Sequence, residues 1–306
     1  VQLTWPHSGT DWAPILPQVT ECYIKMAMEI ALREPLIIVA QNPDETDSIL
    51  KEKLPAEALR RIRIFQMPTD DTWARDHGFI TLVSPQGPLL LDFQFNGWGK
   101  KFQAEKDNRI CREMMEQNAV RGIYIDHLDF VLEGGSIESG TILTTSQCLM
   151  APNRNQSLSL ADIENRLKEY LHAKHILWLN HGYLEGDDTD SHIDTLARLC
   201  PNDTIAYVQC TQTDDPHYEE LRLMEEELET LRTEEGNPYR LIPLPMAAPA
   251  HDEDGLRLPA TYANFLVING AVLMPVYNHP ELDELAHKQL QKAFPRHQIV
   301  DIDCRP

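Results

Sequence analysis

The chain has 306 residues, 42% of them hydrophobic, and its 48 acidic against 27 basic side chains give a formal charge of −21. That size and apolar content exclude a disordered or fibrous protein and suffice for one large core or two ordinary ones. The negative field disfavours nucleic acid and anionic membranes as partners, and favours a small cation over a phosphate.

Cys22, Cys111, Cys148, Cys200, Cys210 and Cys304 are scattered without C-x-x-C or paired spacing, which fits a reducing cytoplasm. No apolar run approaches the ~20 residues of a membrane span, and no charged-then-apolar leader precedes Val1, so the protein reads as soluble and cytoplasmic. Val1 opens without Met inside a strand-like pattern, and Cys304-Arg305-Pro306 stops abruptly after the strand pattern Gln298 to Asp303. Residues 1–306 are therefore read as a single catalytic domain truncated at both ends.

In chain order, apolar periodicity predicts a helix from about Val19 to Leu32, then helices beginning near Glu45, Asp107, Leu160, Pro216 and Glu281. Short β-branched runs predict strands at Ile62 to Met67, Phe79 to Val83, Leu89 to Phe95 and Phe130 to Glu133. Further strands are expected at Ile142 to Thr145, Ile176 to Leu179, Ile205 to Gln209 and Leu241 to Leu244. Pro243 to Pro259 reads as a long surface loop, and Asn269-Gly270 between two apolar runs is a strong hairpin signal. The last five helix starts recur every roughly 50 to 65 residues, each with two or three strands, which argues for a pseudo-symmetric α/β repeat closed on itself. No G-x-G-x-x-G or G-K-[ST] phosphate loop and no Gly/Ser linker interrupts the pattern.

Three polar clusters stand out. The segment Gly186 to Asp194 crowds Asp187, Asp188, Asp190 and Asp194 around His192, a candidate proton-transfer centre. The same residues fit an N-cap, Ser191-x-x-Asp194, opening a helix through Thr195 to Leu199. Carboxylate and imidazole ligands at His181, Asp187, Asp188, His192 and Asp194 also suit a divalent ion, which makes a metal hydrolase the rival reading. Asp76 follows a strand and the polar loop Thr69 to Trp73, and Glu133 precedes Gly134-Gly135; such loops are where α/β folds place their sites. Singly, Asp76 could pair with Arg75 or cap a turn, and Glu133 could be a solvated residue before a Gly-Gly turn.

Taken in order, Thr4-Trp5-Pro6-His7, Asp71-Thr72-Trp73-Ala74-Arg75-Asp76, Phe93 to Gly99 and Leu132-Glu133-Gly134-Gly135-Ser136-Ile137-Glu138 form a pattern over nearly the whole chain. It continues with Asp188-Thr189-Asp190-Ser191-His192-Ile193-Asp194, Leu258 to Phe265 and Asn269-Gly270. This pattern resembles the agmatine deiminase family, which also contains the bacterial type of peptidyl-arginine deiminase, among the guanidine-modifying enzymes. The resemblance implies a five-bladed α/β propeller, the pentein fold, with the active site on its central axis. It implies hydrolysis of a guanidinium group without metal or cofactor, most simply agmatine to N-carbamoylputrescine plus ammonia, with deimination of peptidyl-arginine to citrulline as the alternative. Self-association into a homo-oligomer is left open.

By the same resemblance Asp76 and Asp194 bind the guanidinium, His192 is the general acid and base, and Glu133 pairs with that His and helps hold the cation. Trp73 and Trp98 wall the pocket around the substrate's alkyl chain, or belong to the core. The family's nucleophile is a cysteine in a Gly-rich segment ending His-Cys near the C-terminus, beyond the strand read here as Ile299 to Asp303. No Gly-x-x-His-Cys occurs in the 306 residues. Cys304 belongs to the preceding strand by its surroundings, the turn at Ser139-Gly140 is shorter than the family's, and the natural chain is expected to continue past Pro306. Without that thiol, the residues describe a non-catalytic guanidinium-binding protein.

Overall fold

The computed structural model describes residues 1–252 and 254–305. They form two compact units, Val1–Gly134 and Gly135–Arg305.

In the first unit, β1 (Gln2–Thr4), β2 (Leu36–Ala40) and β3 (Ile62–Gln66) make a parallel sheet in that order. Parallel neighbours need a crossover, and two helices supply it: Leu16–Ala31 and Pro43–Lys53. The former buries Val19, Ile24, Ala27 and Ile30 on one stripe, while Pro43 and the Asn42 side chain, which accepts from the Glu45 amide, start the latter. Central strand β2 is nearly all apolar because both its faces are covered. The second sheet joins β4 (Ile80–Ser84) and β5 (Gly87–Gln94) antiparallel, then β6 (Ile123–Val131) parallel to β5 after the helix Ile110–Glu116. The ladder shifts register at Phe93/Gln94, a bulge that lets β6 feed the Leu132-Glu133 corner.

The second unit repeats the same plan three times. β7 (Ile137–Glu138), β8 (Ile142–Thr145) and β9 (Ile176–Leu179) form one sheet, and β10 (Ala197–Cys200), β11 (Thr204–Gln209) and β12 (Arg240–Pro245) another. A ribbon of β13 (Ala250–His251) and β14 (Arg257–Leu258) precedes the third, made of β15 (Leu266–Ile268), β16 (Ala271–Val276) and β17 (Gln298–Asp303). In each, the first pair is antiparallel and the second parallel, linked by the helices Leu160–Tyr170, Tyr218–Thr230 and Pro280–Ala293. Leu143, Leu179, Ile205, Leu244 and Met274 belong to one continuous core under these sheets. The chain is thus an α/β protein, with five three-stranded sheets among the described residues, matching the fivefold recurrence expected from periodicity. Among the described residues no helix is long and apolar enough to cross a membrane.

Three local expectations change. The segment expected as a helix through Thr195 to Leu199 is a 3-10 turn, Ile193–Thr195, followed by strand β10. Ser191 is not its cap: His192 occupies the N-cap position, without a side-chain cap bond. The spacing of Ile193, Leu196 and Ala197 suits either period, and pairing of Ala197–Cys200 with Thr204–Tyr207 decides for strand. Within Pro243 to Pro259 lies the β13–β14 ribbon rather than an unpaired loop, and β2 escaped detection as a short apolar run.

Candidate active site

In the first unit, Asp76 lies on the short helical turn Ala74–His77, and only 7% of it is exposed. Its Oδ2 accepts a hydrogen bond from Trp98 Nε1 at 3.1 Å. Trp98 reaches it from a left-handed turn: Gly97, Trp98, Gly99 and Lys100 all have positive φ, and Asn96 Oδ1 accepts from the Gly99 amide at 2.9 Å. Glycines on both sides lower the cost of that conformation, and Trp98 itself sits at φ 52° because Phe95, Trp73 and Phe102 pack edge-on around its ring at 5.3 to 5.6 Å. Of the two roles expected for Trp98, burial at 5% exposure places it in the core, and its N–H in addition orients the Asp76 carboxylate. Trp73 is 40% exposed and leans on Trp12, ring centroids 5.8 Å apart, whose Nε1 donates to Thr72 Oγ1 at 2.9 Å. Glu133 is fully buried just past β6. A Cβ on Gly134 would fall 2.1 Å from the Arg75 carbonyl oxygen, so glycine is required for the Glu133 corner to approach the Arg75-Asp76 turn.

The loop before Asp76 is held from below. Asp107 is 1% exposed and accepts from the amides of Asp70 at 2.7 Å and Asp71 at 3.0 Å. Burial, against those two bonds, pushes its carboxyl up to about 7. Its sequence neighbourhood announced only a helix start. Because the native carboxyl keeps its proton to about 7 and the unfolded one releases it near 3.8, the native state binds more protons in that window and stability falls as pH rises through it. Buried His77, whose pKa burial lowers from 6.5 to about 4, has the opposite slope between those values. Comparing wild type with Asp107→Asn cancels the histidine. The wild type's unfolding free energy relative to that variant is expected to drop from about pH 4 to about pH 7; a difference independent of pH would exclude the assignment.

In the second unit, His192 and Asp194 are 2% and 6% exposed. The turn before them is unusual: Asp190 and Ser191 are both left-handed at φ 64°, which costs non-glycine residues roughly 1–2 kcal/mol each. Hydrogen bonds over-determine it. Asp187 accepts from the amides of Thr189 at 3.0 Å and Ser191 at 2.7 Å, Thr145 Oγ1 donates to the Ser191 carbonyl at 2.7 Å, and the His192 amide donates to Thr189 Oγ1 at 3.1 Å. Beyond the histidine, Thr195 Oγ1 donates to the His192 carbonyl at 2.8 Å, and Thr261 Oγ1 to the Thr195 carbonyl at 2.9 Å. These contacts make Asp187 a loop residue. His181 Nδ1 instead lies 3.2 Å from Glu220 Oε2, so two members of the rival metal set, His181 and Asp187, are engaged with other partners.

Buried Arg198 closes the far side, with Nε donating to Glu138 Oε1 at 2.7 Å and Nη1 to the carbonyls of Ala263 and Phe265 at 2.9 and 2.6 Å. Its charge is balanced by the Glu138 carboxylate, which also accepts from the Leu199 amide at 3.1 Å.

The 306 residues match, from end to end, the family model of the Porphyromonas-type peptidyl-arginine deiminase. The chain belongs to that family. The agmatine deiminase of Pseudomonas aeruginosa is 30% identical, over 99% of this chain and 87% of its own. A Campylobacter (C. jejuni) agmatine deiminase, solved as a cysteine-to-serine variant with substrate bound, is 37% identical with a TM-score of 0.89, over 99% and 87% of the two chains. A Porphyromonas gingivalis structure provisionally named an arginine deiminase is 48% identical with a TM-score of 0.93, over 100% and 90%. This family of deiminases comprises hydrolases of C–N bonds in linear amidines, and its α/β fold is the one seen here.

Within this Porphyromonas-type chain no disulfide forms among the described cysteines. Burial raises the thiols of Cys111, Cys200 and Cys210, that of Cys200 to about 12, the opposite of what a nucleophilic thiolate needs. The Cys304 amide donates to the Val276 carbonyl at 3.1 Å, which continues the β16–β17 pairing one residue past β17. Sequence reasoning singled out Asp76, Glu133, His192, Asp194, Trp73 and Trp98 and passed over Trp12, Asp107, Arg154 and Arg198, all of which make long-range contacts. Buried arginines and aspartates carry no local pattern that separates them from solvated ones.

Proposed function

We propose that this enzyme deiminates a guanidinium substrate, most simply agmatine, giving N-carbamoylputrescine and ammonia. A guanidinium is protonated at physiological pH and presents five coplanar N–H donors, so carboxylates can grip it bidentately while drawing electron density from its central carbon. Asp76 and Asp194 serve as those clamps, and Glu133 assists both His192 and the bound cation. A cysteine thiolate attacks the carbon, forming a C–S bond; His192 gives a proton to the departing nitrogen, and ammonia leaves a thiouronium. Water then adds to the same carbon with loss of one proton to His192, and the C–S bond breaks as the new hydroxyl gives its remaining proton to solvent, returning the thiolate and releasing the ureido product. The sequence segment that carries this thiol in the family, Gly-rich and ending His-Cys, is not among residues 1–306. Under this reading the five sheets are the blades of the pentein propeller, and no metal or cofactor takes part.

What carries the reading is the burial of three carboxylates and one imidazole, Asp76, Glu133, Asp194 and His192, in the motifs of a deiminase family. Buried carboxylates are retained where a cation or strong donors face them. The net charge of −21 suits a substrate with a free amine at its far end. The family match favours a second substrate, arginine in a peptide. Ammonia release by the full-length protein from agmatine, free arginine and a peptide ending in arginine decides: turnover of agmatine above the other two is expected. Ammonia from none of them, with guanidinium binding retained, would leave a non-catalytic binding protein.

A further inference from the structure

Arg154 belongs to none of the motifs that pointed to the site, yet its side chain is wholly buried. Its guanidinium is spent on the residues just before His192: Nη1 donates to Asp190 Oδ2 at 2.6 Å and Nη2 to the Thr189 carbonyl at 2.8 Å. It comes from the segment after the helical turn Ser146–Leu149, whose cap residue Thr145 holds the Ser191 carbonyl at 2.7 Å. On the same side Cys148 Sγ lies 3.7 Å from the Thr189 carbonyl, and within 4.8 Å of an imidazole nitrogen of His192. Residues 145 to 154 thus brace residues 189 to 191 at the point where two successive non-glycine residues are left-handed.

We propose that Arg154 is a positioning residue for His192. It keeps Asp190 and Ser191 in the left-handed turn, and that turn sets the direction in which the His192 side chain leaves the backbone. The geometry is suited to the task. A planar guanidinium can serve a carboxylate and a carbonyl through two fixed N–H groups, which a single ammonium cannot do with the same geometry. A left-handed aspartate released from its partner returns to the ordinary backbone region, and the histidine two residues later turns with it. Proton transfer needs donor and acceptor within hydrogen-bond reach, so the loss falls on the chemical step rather than on substrate binding.

This proposal rests on His192 being the acid and base, and the experiment separates the two. In Arg154→Met, kcat for agmatine is expected to fall about 10²-fold, the scale of a misplacement of roughly 1 Å, with KM nearly unchanged. Arg154→Lys should fall between that variant and wild type. Adding Asp190→Gly to Arg154→Met should recover part of kcat, because glycine adopts positive φ without strain; a purely structural role would lower the melting temperature and show no such rescue. Wild-type kcat in folded Arg154→Met, or a loss that Asp190→Gly leaves untouched, would overturn the proposal. If Arg154→Met does not fold, Arg154→Lys decides, and wild-type kcat there overturns it. Should the wild-type protein itself release no ammonia while Arg154→Met behaves as wild type in guanidinium binding, the deiminase reading fails, and this inference with it; intact wild-type turnover with intact variant turnover removes this inference alone.

Discussion

Replacing His192 with alanine is expected to abolish ammonia release, a loss of at least the ~10²–10⁴-fold that general acid–base catalysis supplies. Both proton movements of the proposed cycle pass through this imidazole, so formation and breakdown of the thiouronium are affected together. The residue is buried at 2% exposure, and its backbone is held independently of the ring, by Thr189 on the amide and Thr195 on the carbonyl. The alanine variant should therefore fold and still bind a guanidinium. His181→Ala is the informative control, since that side chain pairs with Glu220 and is 37% exposed. If His181 belonged to a metal centre with His192, both variants would lose activity and a chelator would inhibit the wild type. The deiminase reading expects His181→Ala and chelator-treated enzyme to keep their rates; near-normal turnover by His192→Ala would refute its assigned role.

The second large effect is at Asp76. Asp76→Ala is expected to abolish turnover and to weaken substrate binding as well. Removing one partner of a buried ion pair costs about 3–5 kcal/mol, and every 1.4 kcal/mol is tenfold, so kcat/KM should drop by roughly 10²–10³-fold or more. The alanine variant also strips the acceptor from Trp98 Nε1, which would be left buried without it. Asp76→Asn separates these contributions: its amide oxygen can still accept from Trp98, and only the charge is lost. An asparagine variant with native tryptophan fluorescence and no turnover locates the effect in the carboxylate's charge. Near-normal kinetics in Asp76→Asn would mean that Asp76 serves Trp98 rather than the substrate.

Asp76 and His192 could be singled out because each lies in a dense local motif, whereas the need for glycine at 134 came only from its close approach to the Arg75 carbonyl. The hairpin at Asn269-Gly270 and the strand Ile142 to Thr145 were legible for the same kind of reason: turn chemistry and side-chain period act over a few residues. The failures are instructive. Ser191 and Asp194 satisfied an N-cap pattern, but Asp187, Thr145 and Arg154 pull the turn into left-handed geometry, and β11 then recruits Ala197 to Cys200 as a strand. Trp98 was ambiguous between pocket wall and core because a sequence does not say which way an indole points; the structure buries it in a core cluster and turns its N–H onto Asp76.

By itself, then, the sequence determined the α/β class, the fivefold recurrence of a helix with its strands, and the family, and it singled out four candidate site residues. All of these rest on periodicities and motifs that short stretches of chain express on their own. Only the tertiary structure decided how those residues are held: Asp107 under the Asp70-Asp71 amides, Arg154 behind the His192 turn, and Arg198 between Glu138 and the Ala263 and Phe265 carbonyls. The physical reason is that a buried charge must find its compensation wherever the fold brings it. Glu138 and Arg198 are 60 residues apart and Arg154 and Asp190 are 36, distances over which no local pattern carries information.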